Sequence, residues 1–125
     1  MGTLLQMTEV EFKALEILEN GFQRMTFVNI SWNGDALAID GPPILRDHAK
    51  SDLYSRLMFL KNKQSDEISL DEEDIKYVKD VIGKVQSKDT ICVYDKKKSR
   101  VVIYSDKMED IKQFIHQIKF KAGKV

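Results

Sequence analysis

Several groups in this sequence are of types that do chemistry. Leu37-Ala38-Ile39-Asp40-Gly41-Pro42-Pro43 sets a glycine between an alternating apolar run and a helical pattern, a place where backbone amides can surround a phosphate. Pro42 and Pro43 have no amide hydrogen, so two of the first donors such a cradle needs are missing. Proline suits the first turn of a helix, where its absent donor costs nothing. The expectation at Gly41 is a rigid corner. The strongest basic cluster is Lys96-Lys97-Lys98-Ser99-Arg100. Lys96, Lys97, Lys98 and Arg100 can contact phosphates from a hairpin tip, helped by Lys107 and the tail lysines Lys119, Lys121 and Lys124. Read plainly, the same loop keeps a short sheet soluble. Tyr94 and Tyr104 flank it, but aromatic residues are not interleaved for base stacking.

His48 and His116 lie beside apolar stripes, one in each of two helical patterns. A histidine pair can bind metal or sense pH, but no cysteine or carboxylate cluster at ligand spacing accompanies them, so exposed helix positions are expected. Cys92, the sole cysteine, falls in an apolar run and reads as a small core side chain. The acidic run Asp71-Glu72-Glu73-Asp74 opens a helical pattern, where negative charge favours the macrodipole by about 0.3–1 kcal/mol per group. Nowhere do a nucleophile, a base and an orienting group come together. No catalytic residue, metal, cofactor or small-molecule substrate is expected.

The 125 residues suffice for one compact domain or two very small units with a shared core. Twenty basic and twenty acidic side chains cancel, so no global field attracts nucleic acid or an anionic membrane. Residues up to Asn62 hold 6 basic and 8 acidic groups, a net −2; the rest hold 14 and 12, a net +2. A single cysteine excludes an internal disulfide framework. No signal-peptide pattern and no membrane-length apolar run is present. A reducing cytoplasmic or nuclear setting is expected, and the Met1-Gly2 start suits a segment of a larger multidomain protein.

The elements that position these groups occur twice. With Leu70 placed under Met7, Phe12 falls over Ile75, Leu15 over Val78 and Leu18 over Val81. One added residue sets Phe27 over Ile91 and Val28 over Cys92, then Leu37 over Val101 and Ile39 over Ile103, with Gly41 over Ser105. This predicts two units, residues 1–62 and 63–125. Each begins with an extended piece, Thr3–Met7 or Asp66–Leu70, and continues into a helix near Glu9–Asn20 or Glu72–Val85. Thr8 and Glu11 form a capping-box pattern, and Asp71 suits an N-cap. Ile75, Val78, Ile82 and Val85 make a helical stripe. Hairpins follow: Thr26–Ser31 and Ala36–Ile39 around Asn33-Gly34, then Thr90–Tyr94 and Val101–Tyr104 around the basic loop. Closing helices carry Leu45, Ala49, Leu53, Leu57 and Leu60, then Met108, Ile111, Ile115 and Ile118. The fold class is α+β, with β-α-β-β-α repeated.

Ile44, Tyr54 and Met58 form a second apolar face opposite the leucine stripe, expected to pack against the second unit. Trp32 beside the first hairpin turn either anchors a partner or covers the sheet edge or core.

This order, with Ala36-Leu37-Ala38-Ile39-Asp40-Gly41-Pro42-Pro43 leading to Ala49 and Leu53, resembles a eukaryotic-type (type I) KH domain whose helix–loop–helix has shrunk to one helix. The second copy, Val101-Val102-Ile103-Tyr104-Ser105 leading to Ile111 and Ile115, fits the same frame. With Glu67-Ile68-Ser69-Leu70 before an acidic helix start, the chain is similar to the degenerate tandem KH-like units of macrodomain-containing poly-ADP-ribose polymerases and their ubiquitin-ligase partners. A KH domain that binds nucleic acid clamps the backbone with a GXXG loop. Val81-Ile82-Gly83-Lys84 and Asn20-Gly21 occupy the corresponding points without a second glycine. The resemblance therefore implies a KH-derived scaffold that has lost its clamp.

The leading expectation is a non-enzymatic module that binds a protein partner or itself, with Trp32, Ile44, Tyr54 and Met58 as interface residues. The alternative is RNA or single-stranded nucleic acid bound by Lys96, Lys97, Lys98 and Arg100.

Overall fold

In the computed structural model the described residues are 2–80, 82, 85–86 and 90–123, with backbone alone at 85–86. The fold is α+β, and the chain divides into two compact units, Met1–Asn62 and Lys63–Val125.

In the first unit, strand β1 (Gly2–Gln6) leads into helix α1 (Glu9–Leu18). The capping box forms in both directions: the Glu11 amide donates to Thr8 Oγ1 at 3.1 Å, and the Thr8 amide donates to Glu11 Oε1 at 2.9 Å. The helix stops two residues before the expected Asn20. There Asn20, Gly21 and Phe22 take φ of 52°, 70° and 60°. Asn and Gly accept this region readily, but Phe22 does so at a cost of about 1–3 kcal/mol. Its buried ring, 5.9 Å from that of Phe12, accounts for the tolerance.

Strands β2 (Asn29–Trp32) and β3 (Ala36–Asp40) form the hairpin. Thr26–Val28, expected to be strand, turns instead, and β2 begins at Asn29. Asn33 closes the turn: its Oδ1 accepts the amides of Asp35 at 3.0 Å and Ala36 at 2.8 Å, while Gly34 sits at φ +102°. Helix α2 (Pro43–Lys61) closes the unit, and the sheet order is β1-β3-β2, antiparallel throughout. Of the leucine stripe, Ala49, Leu53, Leu57 and Leu60 are buried, each leucine adding about 1.5–3 kcal/mol. Leu45 is 36% exposed, so the stripe starts one turn later than the spacing predicts.

In the second unit, β4 (Gln64–Ser69) precedes α3 (Glu72–Ile75), then β5 (Val85–Gln86), β6 (Thr90–Asp95), β7 (Arg100–Ser105) and α4 (Met108–Lys121). The sheet order is β4-β7-β6-β5, again antiparallel. The long helix predicted to reach Val85 is a single turn. Beyond it the amides of Tyr77 and Val78 reach back three residues, to Asp74 and Ile75, in tight turns. β-Branched Val78 is a weak helix former, and this path buries it fully beside half-buried Ile75 and Ile82. Asp71 holds the N-cap position, but its side chain makes no cap bond.

Cα pairing aligns the hairpins of the two units in a different register from the expected match. Ile39 pairs with Ile30, and Ile103 pairs with Cys92. With Ile39 set level with Ile103, Cys92 stands where Ile30 does and Tyr94 where Trp32 does, two residues away from the expected Val28–Cys92 match. Beyond the pairs that stand at the same level the second hairpin runs two residues longer, because Trp32 pairs with Leu37 as the last pair of its ladder, whereas Tyr94 pairs with Val101 and Asp95 pairs with Arg100 beyond it. A shift of two leaves every side chain on its original face, so the alternating pattern could not reveal it.

The two corners before the closing helices use different chemistry. Gly41 takes φ +149°, and an added Cβ would lie 3.1 Å from Val28 Cγ1. At the matching corner, buried Ser105 accepts from Thr90 Oγ1 at 3.1 Å and from the Lys107 amide at 3.4 Å.

Candidate interaction surfaces

The basic loop is a four-residue turn, Lys96–Ser99, between β6 and β7. Its shape is set by Asp95, whose carboxylate accepts from Arg100 Nε at 2.8 Å and from the amides of Lys98 and Lys97. Burial alone would raise the Asp95 pKa, but the Arg100 bond and charge, with the two amides, outweigh it and hold it below the usual carboxylate range. Arg100 also donates to Glu67 on β4, and its two carboxylate partners raise its pKa. Lys96 lies 3.3 Å from Glu72, both side chains largely exposed.

The structure thus brings the four expected cationic residues to one hairpin and places carboxylates against two of them. Arg100 is held within its own sheet. Lys96 is less committed, since an exposed pair contributes about 0–1 kcal/mol. Sequence spacing missed Glu67 as a partner because it lies thirty-three residues from Arg100; the pairing of β4 with β7 creates the contact.

The α2 surface is built differently. The side opposite the leucine stripe exposes Ile44 at 82%, Tyr54 at 53% and Met58 at 38%. Phe59, one residue off that line, is 61% exposed and widens the patch. Ser51 and Ser55 lie between the apolar side chains, and the Ser55 hydroxyl donates to the Ser51 carbonyl at 3.2 Å. Trp32 is half-buried with its ring 5.2 Å from Phe12, so it covers the core of the first unit while keeping part of its surface open.

The other singled-out residues divide between surface and core. His48 and His116 are exposed on α2 and α4. Cys92 is fully buried, and burial pushes its thiol up to about 12, leaving essentially no thiolate at neutral pH. Among the described residues, no group of three or more His, Cys, Asp and Glu side chains could hold a metal ion. Gly41 opens no phosphate cradle: Pro42 is the N-cap, Pro43 begins α2, and the Gly41 carbonyl accepts from Arg46 Nη1 at 3.3 Å. Val81, Gly83 and Lys84, in the remnant of the GXXG frame, lie outside the described residues. On α4 a shallow depression is lined by Gln113, Phe114, His116, Gln117 and Phe120. Phe120 is 72% exposed and falls outside the Met108–Ile118 stripe that the sequence emphasised.

Among the described residues, no helix is long and apolar enough to cross a membrane. No family model, no curated protein and no solved structure matches the chain.

Proposed function

We propose that the chain is a non-enzymatic interaction module of a larger protein, built on two degenerate KH-like units, which binds a protein partner or a second copy of itself. The observation that carries this reading is the apolar outer face of α2, where Ile44, Tyr54, Met58 and Phe59 are all exposed. Covering such side chains gains about 25 cal/mol per Å² of apolar area, and several large exposed apolar residues on one helix face favour an interaction site. The KH-like part of the reading is supported by the β-α-β-β-α order of the first unit and by the shared antiparallel orders β1-β3-β2 and β4-β7-β6.

The test is sedimentation of the full chain across a concentration series, alongside cross-linking with mass-spectrometric mapping. The expected result is a concentration-dependent dimer, or a protein cross-linked at α2, lost in a Tyr54→Glu, Met58→Glu variant. A chain that stays monomeric and cross-links nothing at α2 removes the proposal.

Nucleic-acid binding by Lys96, Lys97, Lys98 and Arg100 is the second reading. It is supported by three consecutive lysines on an exposed turn and opposed by the carboxylates beside Arg100 and Lys96. Single-stranded RNA titrated at low salt distinguishes the two: binding that disappears when the four residues become alanine would favour this reading.

A further inference from the structure

The edges of the two sheets are treated differently. β4 carries Asp66 and Glu67, and the Asp66 carboxylate accepts the Glu67 amide at 2.8 Å, occupying a donor an incoming strand would use. Charge and self-capping of this kind protect an edge. The edge of β6 is covered at its start by β5, through Val85↔Ile91 and Gln86↔Thr90. β2, which corresponds to β6 by its pairing with the central strand, has neither device. It is Asn29-Ile30-Ser31-Trp32, with no charge and no proline, and among the described residues β3 is its only strand partner. β1 is also uncharged, but among the described residues its counterpart β4 receives no added strand.

The ladder sets which groups β2 offers. The Asn33 amide donates to the Ala36 carbonyl at 3.2 Å across the hairpin end. Antiparallel hydrogen bonding alternates along a strand, so Ser31 and Asn29 face β3, while Ile30 and Trp32 turn their amides and carbonyls to the open edge. The Ile30 and Trp32 side chains are half-buried on the core face, and Asn29 and Ser31 are exposed on the other.

We infer that the edge of β2 accepts one extended strand, apolar at alternate positions, from a partner protein. The pairing of β5 with β6 is the precedent within the same chain. The alternating demand follows from Ile30 and Trp32, whose open flanks an apolar side chain would cover. The four residues of β2, about 13 Å of strand, are far fewer than the roughly 20–30 residues a side that a stable interface uses. The occupant is therefore a peptide segment bound transiently. This site is separate from the α2 face.

Trp32 is the only tryptophan, so its emission reports on the edge directly. The probe is the blocked peptide Lys-Thr-Val-Thr-Val-Thr-Lys, titrated into the full chain, with a control peptide N-methylated at alternate amides. The expected result is a saturable change in Trp32 emission and at least fivefold slower amide exchange at Ile30 and Trp32. The methylated peptide should bind at least tenfold more weakly, and Tyr54→Glu, Met58→Glu should leave peptide binding unchanged. No response, an equal response to both peptides, or protection of Ile30 and Trp32 that instead follows dimer formation overturns the inference.

Discussion

Arg56 on α2 donates to the Glu19 carboxylate at 2.9 Å, tying the C-cap of α1 to the C-terminal half of the closing helix. Glu19 is only 8% exposed and also accepts from Arg24 at 2.7 Å, so one carboxylate holds two guanidinium groups. Replacing Glu19 by alanine leaves the half-buried Arg56 with its longer 3.5 Å contact to Asp52. The expected loss is about 1–3 kcal/mol, read as a lower urea midpoint with an unchanged slope. Arg24→Ala, at a 66% exposed side chain, should cost less than about 1 kcal/mol.

Asp95 makes the second unit sensitive to acid. Its pKa is lower in the folded chain than in the unfolded one, despite burial, because of Arg100 and the Lys98 and Lys97 amides. The unfolded state therefore binds the proton more readily. The stabilisation is fully present above about pH 3.9 and disappears as pH falls through the folded value. Asp95→Asn should lower stability at neutral pH, and the gap to the parent chain should narrow in the acid range. Urea titrations at about pH 7 and about pH 3 make the comparison.

Gly41→Ala tests the corner. The new methyl meets Val28 Cγ1 at 3.1 Å, in a backbone conformation of φ +149° that L-residues rarely adopt. A loss of about 1–3 kcal/mol is expected, measurable by thermal or urea unfolding. Ser105→Ala at the matching corner should cost about 0.5–1.5 kcal/mol through its hydrogen bond with Thr90.

Cys92 should be inert in the native chain. With the thiol pushed up to about 12 by burial, a disulfide reagent at about pH 8 should label it only as fast as the second unit opens. In denaturant the reaction should become rapid. Equal rates in both conditions would show that the side chain is accessible in the fold.

The sequence made the α+β class readable because its signals are local. The Thr8–Glu11 reciprocal cap, the Asn33-Gly34 turn and the leucines of α2 each act within a few residues. What stayed hidden depended on tertiary choice. The stripe Ile75, Val78, Ile82 has helical spacing, yet burying Val78 through tight turns displaced the helix after one turn. The two-residue offset at Ile30 and Cys92 kept the faces unchanged, so only pairing exposed it. At the candidate surfaces, the apolar side of α2 was visible as Ile44, Tyr54 and Met58. The Glu67 contact with Arg100 was not, since strand pairing creates it.

The placement of Trp32 and Cys92 has a practical consequence. The first unit holds the chain's only indole and the second its only thiol, each against the core of its own unit. The protein therefore carries two native clocks, one optical and one chemical, for the opening of its halves. Rates that coincide are those of a single cooperative block; rates that diverge mark two opening events with different barriers.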